Sequence, residues 1–171
     1  MALTKVNSGG INFTTGKVLQ VVSTTKTDVQ SITGTTFVDV FSLAITPSAT
    51  SSKILLDCFI NLSANGRYSA VKTFRDSTQI NMGNQIGSNR ARVSVSSQTN
   101  NDATNDSFIM HNSNTSFLDS PSTTNEITYK IKCGNTNDNS TVSYINRPPS
   151  DSDNAYVHTG SSTFTLMEIA G

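Results

Sequence analysis

Apolar and polar positions alternate along most of this chain, and the longest clean run lies in residues 53–76. Ile54, Leu56, Cys58, Ile60 and Leu62 fall on one side of an extended chain, with Asp57 and Asn61 on the other. A period of two residues is the pattern of a strand with one buried face. Asn65-Gly66 follows, and both residues tolerate positive φ, so a two-residue hairpin turn is expected there. In that register Ile60 faces Val71 and Cys58 faces Thr73 on the core side. Phe59 then lies opposite Lys72, and Asp57 opposite Phe74, on the outer face. A bulge in the turn would exchange the two faces. Phe59 and Phe74 on a nominally solvent face mark a second covered surface, either another sheet or another subunit.

Further strands are expected at residues 16–22, 36–41, 90–97, 107–111, 126–133, 141–145 and 162–169. The run 126–133 alternates most cleanly: Ile127, Tyr129, Ile131 and Cys133 inward, Glu126, Thr128, Lys130 and Lys132 outward. Residues 23–34, 77–88, 100–106 and 134–140 read as loops, and 118–122 as a turn punctuated by Pro121. The paired prolines bar 147–154 from a central strand. No segment carries a sustained helical period with caps. Eight or nine strands separated by turn signals predict an all-β fold, a two-sheet antiparallel β-sandwich. A jelly roll is the preferred topology and a Greek-key sandwich the second choice. Residues 1–15 hold too few large apolar side chains to bury anything and are expected to be an extended N-terminal arm. The sandwich then spans 16–171.

Composition narrows the function classes. The 171 residues carry 12 basic and 12 acidic side chains, so no electrostatic footprint for nucleic acid is expected. Ser, Thr and Asn together outnumber the hydrophobic residues. Because Val, Ile and Thr come in strand-length blocks, this polar composition reads as a folded β protein rather than a disordered chain. No apolar run is long enough to span a membrane, and no basic-then-apolar leader follows Met1, so synthesis in a cytoplasm is expected.

Candidate chemistry is sparse. Cys58 and Cys133 sit on apolar strand faces and are expected to be buried, reduced thiols. His111 and His158 are the only histidines, one at a strand end and one in a loop, and no close-spaced ligands suggest a metal. Asp151 and Asp153 resemble the start of a calcium loop, but the downstream glycine and glutamate are missing, so a structured turn is expected. Arg67, Arg75, Arg90 and Arg92 read as solvent or interface ion-pair partners. No nucleophile elbow accompanies the many serines, and the acids are too scattered for a glycosidase pair. Neither catalysis nor a cofactor is expected.

Several stretches resemble the tail-fibre-like virion structural proteins of tailed bacteriophages. They are GKVLQVV at 16–22, ITPSATSSKIL at 45–55, FLDSP at 117–121, YKI at 129–131, Asn146-Arg147, DSDN at 151–154 and STFTLMEIAG at 162–171. The likeness is collinear from 16 to 171, departs between 66 and 112, and is joined by MALTKV, which is similar to starts seen in marine phage proteins. It implies a non-enzymatic component of the particle surface, made in the host cytoplasm and assembled as a homotrimer with other virion proteins. The arm would anchor to the particle through Leu3, Val6, Ile11 and Phe13. Phe59 and Phe74 would meet a neighbouring subunit, and loops bearing Asn101, Asn105, Asn135 and Asn137 would form the exposed tip facing a host glycan or protein. A capsid decoration or head-fibre role is the alternative; a free carbohydrate-binding module, without Trp, trails both. No nucleic-acid or membrane partner is implied.

Overall fold

The computed structural model describes residues 16–66, 68–97, 106–137 and 139–171. Eleven strands follow one another: β1 Val18–Lys26, β2 Gln30–Thr33, β3 Val38–Ile45, β4 Lys53–Ala64, β5 Ser69–Arg75, β6 Thr78–Ile80, β7 Val95–Ser97, β8 His111–Asp119, β9 Ile127–Asn135, β10 Val142–Ile145 and β11 Ser162–Ile169. A single 3-10 turn at Asp106–Phe108 is the only helical element among the described residues. The strands form two antiparallel sheets packed face to face, the expected β-sandwich.

Each sheet has four lanes, because some neighbouring strands lie end to end. In the first sheet β4 is central. Its residues 54–59 pair with β8 on one side and β11 on the other. Leu62 pairs with both His111 and Ile145, which places β10 on the β11 side. β1 flanks β11 and β2 flanks β10, so the lanes run β8, β4, β10 with β11, β2 with β1. In the second sheet β9 lies between β3 and β5. β6 pairs with residues 73–75 of β5 and β7 with residues 69–71, sharing the outermost lane.

The core is built by the residues whose alternation predicted it. Ile54, Leu56, Cys58, Ile60 and Leu62 from β4 are all buried, as are Ile127, Tyr129, Ile131 and Cys133 from β9. Phe41 and Phe164 meet between the sheets with ring centroids 5.9 Å apart. Burying each large apolar side chain contributes about 1.5–3 kcal/mol, so this double row is the main source of stability.

The hairpin expected across Asn65-Gly66 does not form. β4 and β5 belong to different sheets. Both sides of β4 are already filled, and Asn65 continues the β10 contact: its amide donates to Val142 O (3.1 Å), and its Oδ1 accepts from the Val142 amide (2.7 Å). The chain then leaves the sheet through Tyr68, whose φ is +79°. The face assignment still holds, since Val71 and Thr73 are buried, but their partners are Cys133 and Ile131.

Other boundaries differ for similar reasons. The strand expected at 90–97 is ordered as a ladder only from Val95, because the Ser94 hydroxyl takes the Thr73 amide in place of a backbone carbonyl. The strand expected at 107–111 begins at His111 instead and runs to Asp119, taking in the first two residues of the expected 118–122 turn. β2 and β6 occupy segments read as loops.

Candidate functional site

The outer face of the second sheet carries the most chemically distinct surface. Along β9, Thr128, Lys130 and Lys132 point away from the core, as their phase requires. Register places Lys72 of β5 opposite Lys132, and Phe74 opposite Lys130. On the other flank Asp39 of β3 lies opposite Lys132, and its Oδ1 stands 2.8 Å from the Lys132 ammonium. Phe37 covers the far end. It can lie close because residue 134 is glycine: a Cβ there would stand 3.1 Å from the Phe37 Cα and ring and from Thr36 O.

The resulting cleft has a volume of about 610 Å³ and is lined by Phe37, Phe74, Asp76, Ser77, Thr128, Lys130 and Lys132. The Lys72 ammonium sits 4.0 Å from the Phe37 ring centroid, and that of Lys132 lies 5.3 Å from the Phe74 centroid, both within cation–π range. Lys130 has no ion-pair partner among the described residues. Asp76 closes the cleft at a φ of +53°, where its Oδ1 accepts from the Thr128 amide (3.0 Å). The cleft therefore offers cations, flat apolar rings and hydroxyl or carboxylate acceptors side by side. Sequence reading placed Lys130 and Lys132 outward and flagged Phe74, but Phe37 and Asp76 reach them only through strand pairing.

The outer face of the first sheet is rich in Thr, Ser and Asn, carries Lys53 and Asp57 on β4, and is crossed by one apolar row. Val21, Met167, Leu55 and Leu118 are successive register partners and form an apolar row across all four strands. Val21 is 56% and Leu118 46% exposed. Phe59 lies four residues along β4 from Leu55 on the same face, beyond Asp57, and is partly exposed, whereas Phe74 is on the other sheet. The two phenylalanines expected on one face thus point away from opposite sides of the sandwich.

Of the asparagines expected at an exposed tip, Asn137 is exposed. Asn135 is not: it is 1% exposed at the end of β9, and its Oδ1 accepts from the Asn137 amide, shaping the turn from within. Asn101 and Asn105 lie outside the described residues, as do Arg67 and Leu3, Val6, Ile11 and Phe13. Arg92 donates to Gly83 O, and Arg75 Nη1 donates to both carboxylate oxygens of Asp119.

The buried titratable groups are structural. Cys58 and Cys133 are free thiols, and burial pushes each up to about 12. Tyr129 is raised by burial and then by its hydrogen bond to Asp119, 2.7 Å away. Burial alone would raise Glu168, but donors led by the Ser48 hydroxyl (2.6 Å), with the Ser48 amide and the Gln20 side chain, hold it down at about 2. His111 Nε2 finds no partner among the described residues, and His158 is exposed in a loop. Asp151 and Asp153 lie in the loop after β10, and among the described residues no three His, Cys, Asp or Glu side chains gather to hold a metal. No described helix is long and apolar enough to cross a membrane. No family model matches the chain, and no curated protein matches it.

Proposed function

We propose that the chain is a structural protein of a tailed phage particle, an appendage or tail-fibre component that attaches the particle to its host. One observation carries this reading most. Counting β1 with β2, β6 with β7 and β10 with β11 as single interrupted strands leaves eight, ordered 1-8-3-6 in one sheet and 2-7-4-5 in the other. That order supports the jelly-roll reading, an architecture that recurs in viral capsid and lectin domains. Fold does not by itself carry function; the collinear resemblance over 16–171 supplies the particle.

In this proposal the protein is a non-enzymatic homotrimer bound to other virion proteins, made in the host cytoplasm, with a host surface glycan or protein as its target. Residues 1–15 provide the particle anchor. The second reading, a decoration or head-fibre protein, is favoured by the apolar row on the first sheet, which suits flat docking on a shell.

Immunogold labelling of intact particles with antibody against residues 16–171 tests both. Gold at the tail end is the expected result. Gold over the head replaces it with the decoration role, and particles without label overturn both.

A further inference from the structure

We infer that the cleft between Phe37 and Phe74 binds an anionic saccharide, a sugar chain bearing carboxylates. The inference deepens the attachment reading and rests on it for its biological setting.

The first argument is electrostatic. Lys72 and Lys132 are direct register partners, and Lys130 follows on the same face. Like charges directly opposite in a sheet are destabilising, and two residues along a strand separate the β9 lysines by only about 7 Å. Asp39 offsets Lys132 alone. Lys72 is held over an aromatic ring, and Lys130 has no acid partner among the described residues. This concentration of cations on a chain with zero net charge is relieved by an anion that reaches more than one lysine.

The second argument concerns the remaining walls. Phe37 and Phe74 line the cleft beside the ammoniums that sit against them, and add apolar surface for the C–H groups of a pyranose ring. Among the described residues Asp76 accepts through Oδ1 alone, which leaves Oδ2 for sugar hydroxyls, and Thr128 and Ser77 line the same wall. A volume of about 610 Å³ lies within the usual range for ligand sites. A DNA backbone brings no hydroxyl donors for Asp76, whereas a sugar chain does, so a saccharide suits this wall better than DNA. A ligand with both carboxylates and hydroxyls matches every group present.

The full chain is titrated with polysialic acid, polygalacturonate and hyaluronan as carboxylated probes, with dextran and chitooligosaccharide as neutral ones, and with a thymidine oligonucleotide. Amide shifts are followed by NMR. At least one carboxylated probe should move Lys72, Phe74, Lys130 and Lys132, and neither neutral probe should. Lys130→Glu should weaken that binding about tenfold, the loss of one charge-assisted contact, and Lys72→Glu, beside the cleft rather than in its lining, should weaken it less. Lys53→Glu, on the outer face of the other sheet, should leave it unchanged, and thermal melts confirm that each variant is folded. Absence of shifts with all three carboxylated probes overturns the inference, as does binding untouched by Lys130→Glu or tighter binding of the oligonucleotide. Gold at the tail without saccharide binding removes this inference alone; saccharide binding without gold removes the particle reading alone.

Discussion

Two buried polar residues fix the geometry at opposite ends of β11. Glu168 follows Phe164 and Leu166 on the inward phase of β11, a place where an unpaired carboxylate would be strongly disfavoured. Its bonds from Ser48 and Gln20 tie the turn between β3 and β4 to the end of β11. Its folded pKa, about 2, lies below the ordinary 4.5, so the carboxylate contributes stability that is fully present above about pH 4.5 and is lost as pH falls toward 2. Discounted for solvent screening, the size is about 1–2 kcal/mol. Urea midpoints measured from pH 7 to pH 2 should fall over this window, and Glu168→Gln should remove that part of the fall while lowering stability at pH 7. A pH profile unchanged in the variant would place the acid sensitivity elsewhere.

Asn146 does the corresponding work where β10 gives way to the 147–161 loop. Fully buried, its side chain donates to Lys26 O and Asp28 O and accepts from the Ser162 hydroxyl, joining the breaks in two neighbouring lanes. Its φ of +64° suits Asn and Gly far better than Ala. Asn146→Ala should therefore cost about 2–4 kcal/mol, from unsatisfied backbone groups plus strain. Asn146→Gly should be milder by about 1 kcal/mol, because it relieves the strain while losing the same bonds. Equal losses in chemical denaturation would show that backbone strain contributes nothing.

At the level of elements, Gly66 decides where β4 ends. A Cβ there would stand 2.7 Å from Thr141 Oγ1, on a β-branched, buried side chain with little room to move. Gly66→Ala should destabilise by about 1–3 kcal/mol through overpacking, and Thr141→Ala should recover part of that in the double variant. Full additivity of the two changes would rule out the clash as the cause. The same segment shows what was legible from the chain. Alternation identified the buried faces of β4 and β9 down to individual residues, because burial acts on each strand separately; in β5 the expected hairpin register placed Val71 and Thr73 inward, where they lie, though the hairpin itself does not form. It could not identify partners: Asn65-Gly66 offers good hairpin chemistry, but β8, β10 and β11 compete for both sides of β4 and win. β8 was unreadable because its inward positions include His111, Ser113, Thr115 and Asp119, which satisfy the pleat without an apolar signal. The cleft was half visible for the same reason. Lys130 and Lys132 are outward by phase, but Lys72, Phe37 and Asp76 join them only through register.

For the whole molecule, the two outer faces are unlike each other. The second sheet is cationic and aromatic, whereas the first carries mainly Thr, Ser and Asn with Lys53 and Asp57 among them, crossed by the row Val21, Met167, Leu55 and Leu118. On a surface so rich in Thr, Ser and Asn, a contiguous apolar band exposed at both ends is a candidate contact between copies. The proposed homotrimer would bury this band and leave the lysine cleft facing outward, so that assembly and attachment use opposite sides of one sandwich. Val21→Lys with Leu118→Lys places two charges in that band without touching the inward core. The wild-type chain should run as a trimer by size-exclusion light scattering at micromolar concentration, and the double variant as a folded monomer with an unchanged far-UV spectrum. A monomeric wild type would sink the assembly proposal. A variant that stays trimeric would move the subunit contact to the second sheet, where it would compete with the cleft for the same surface.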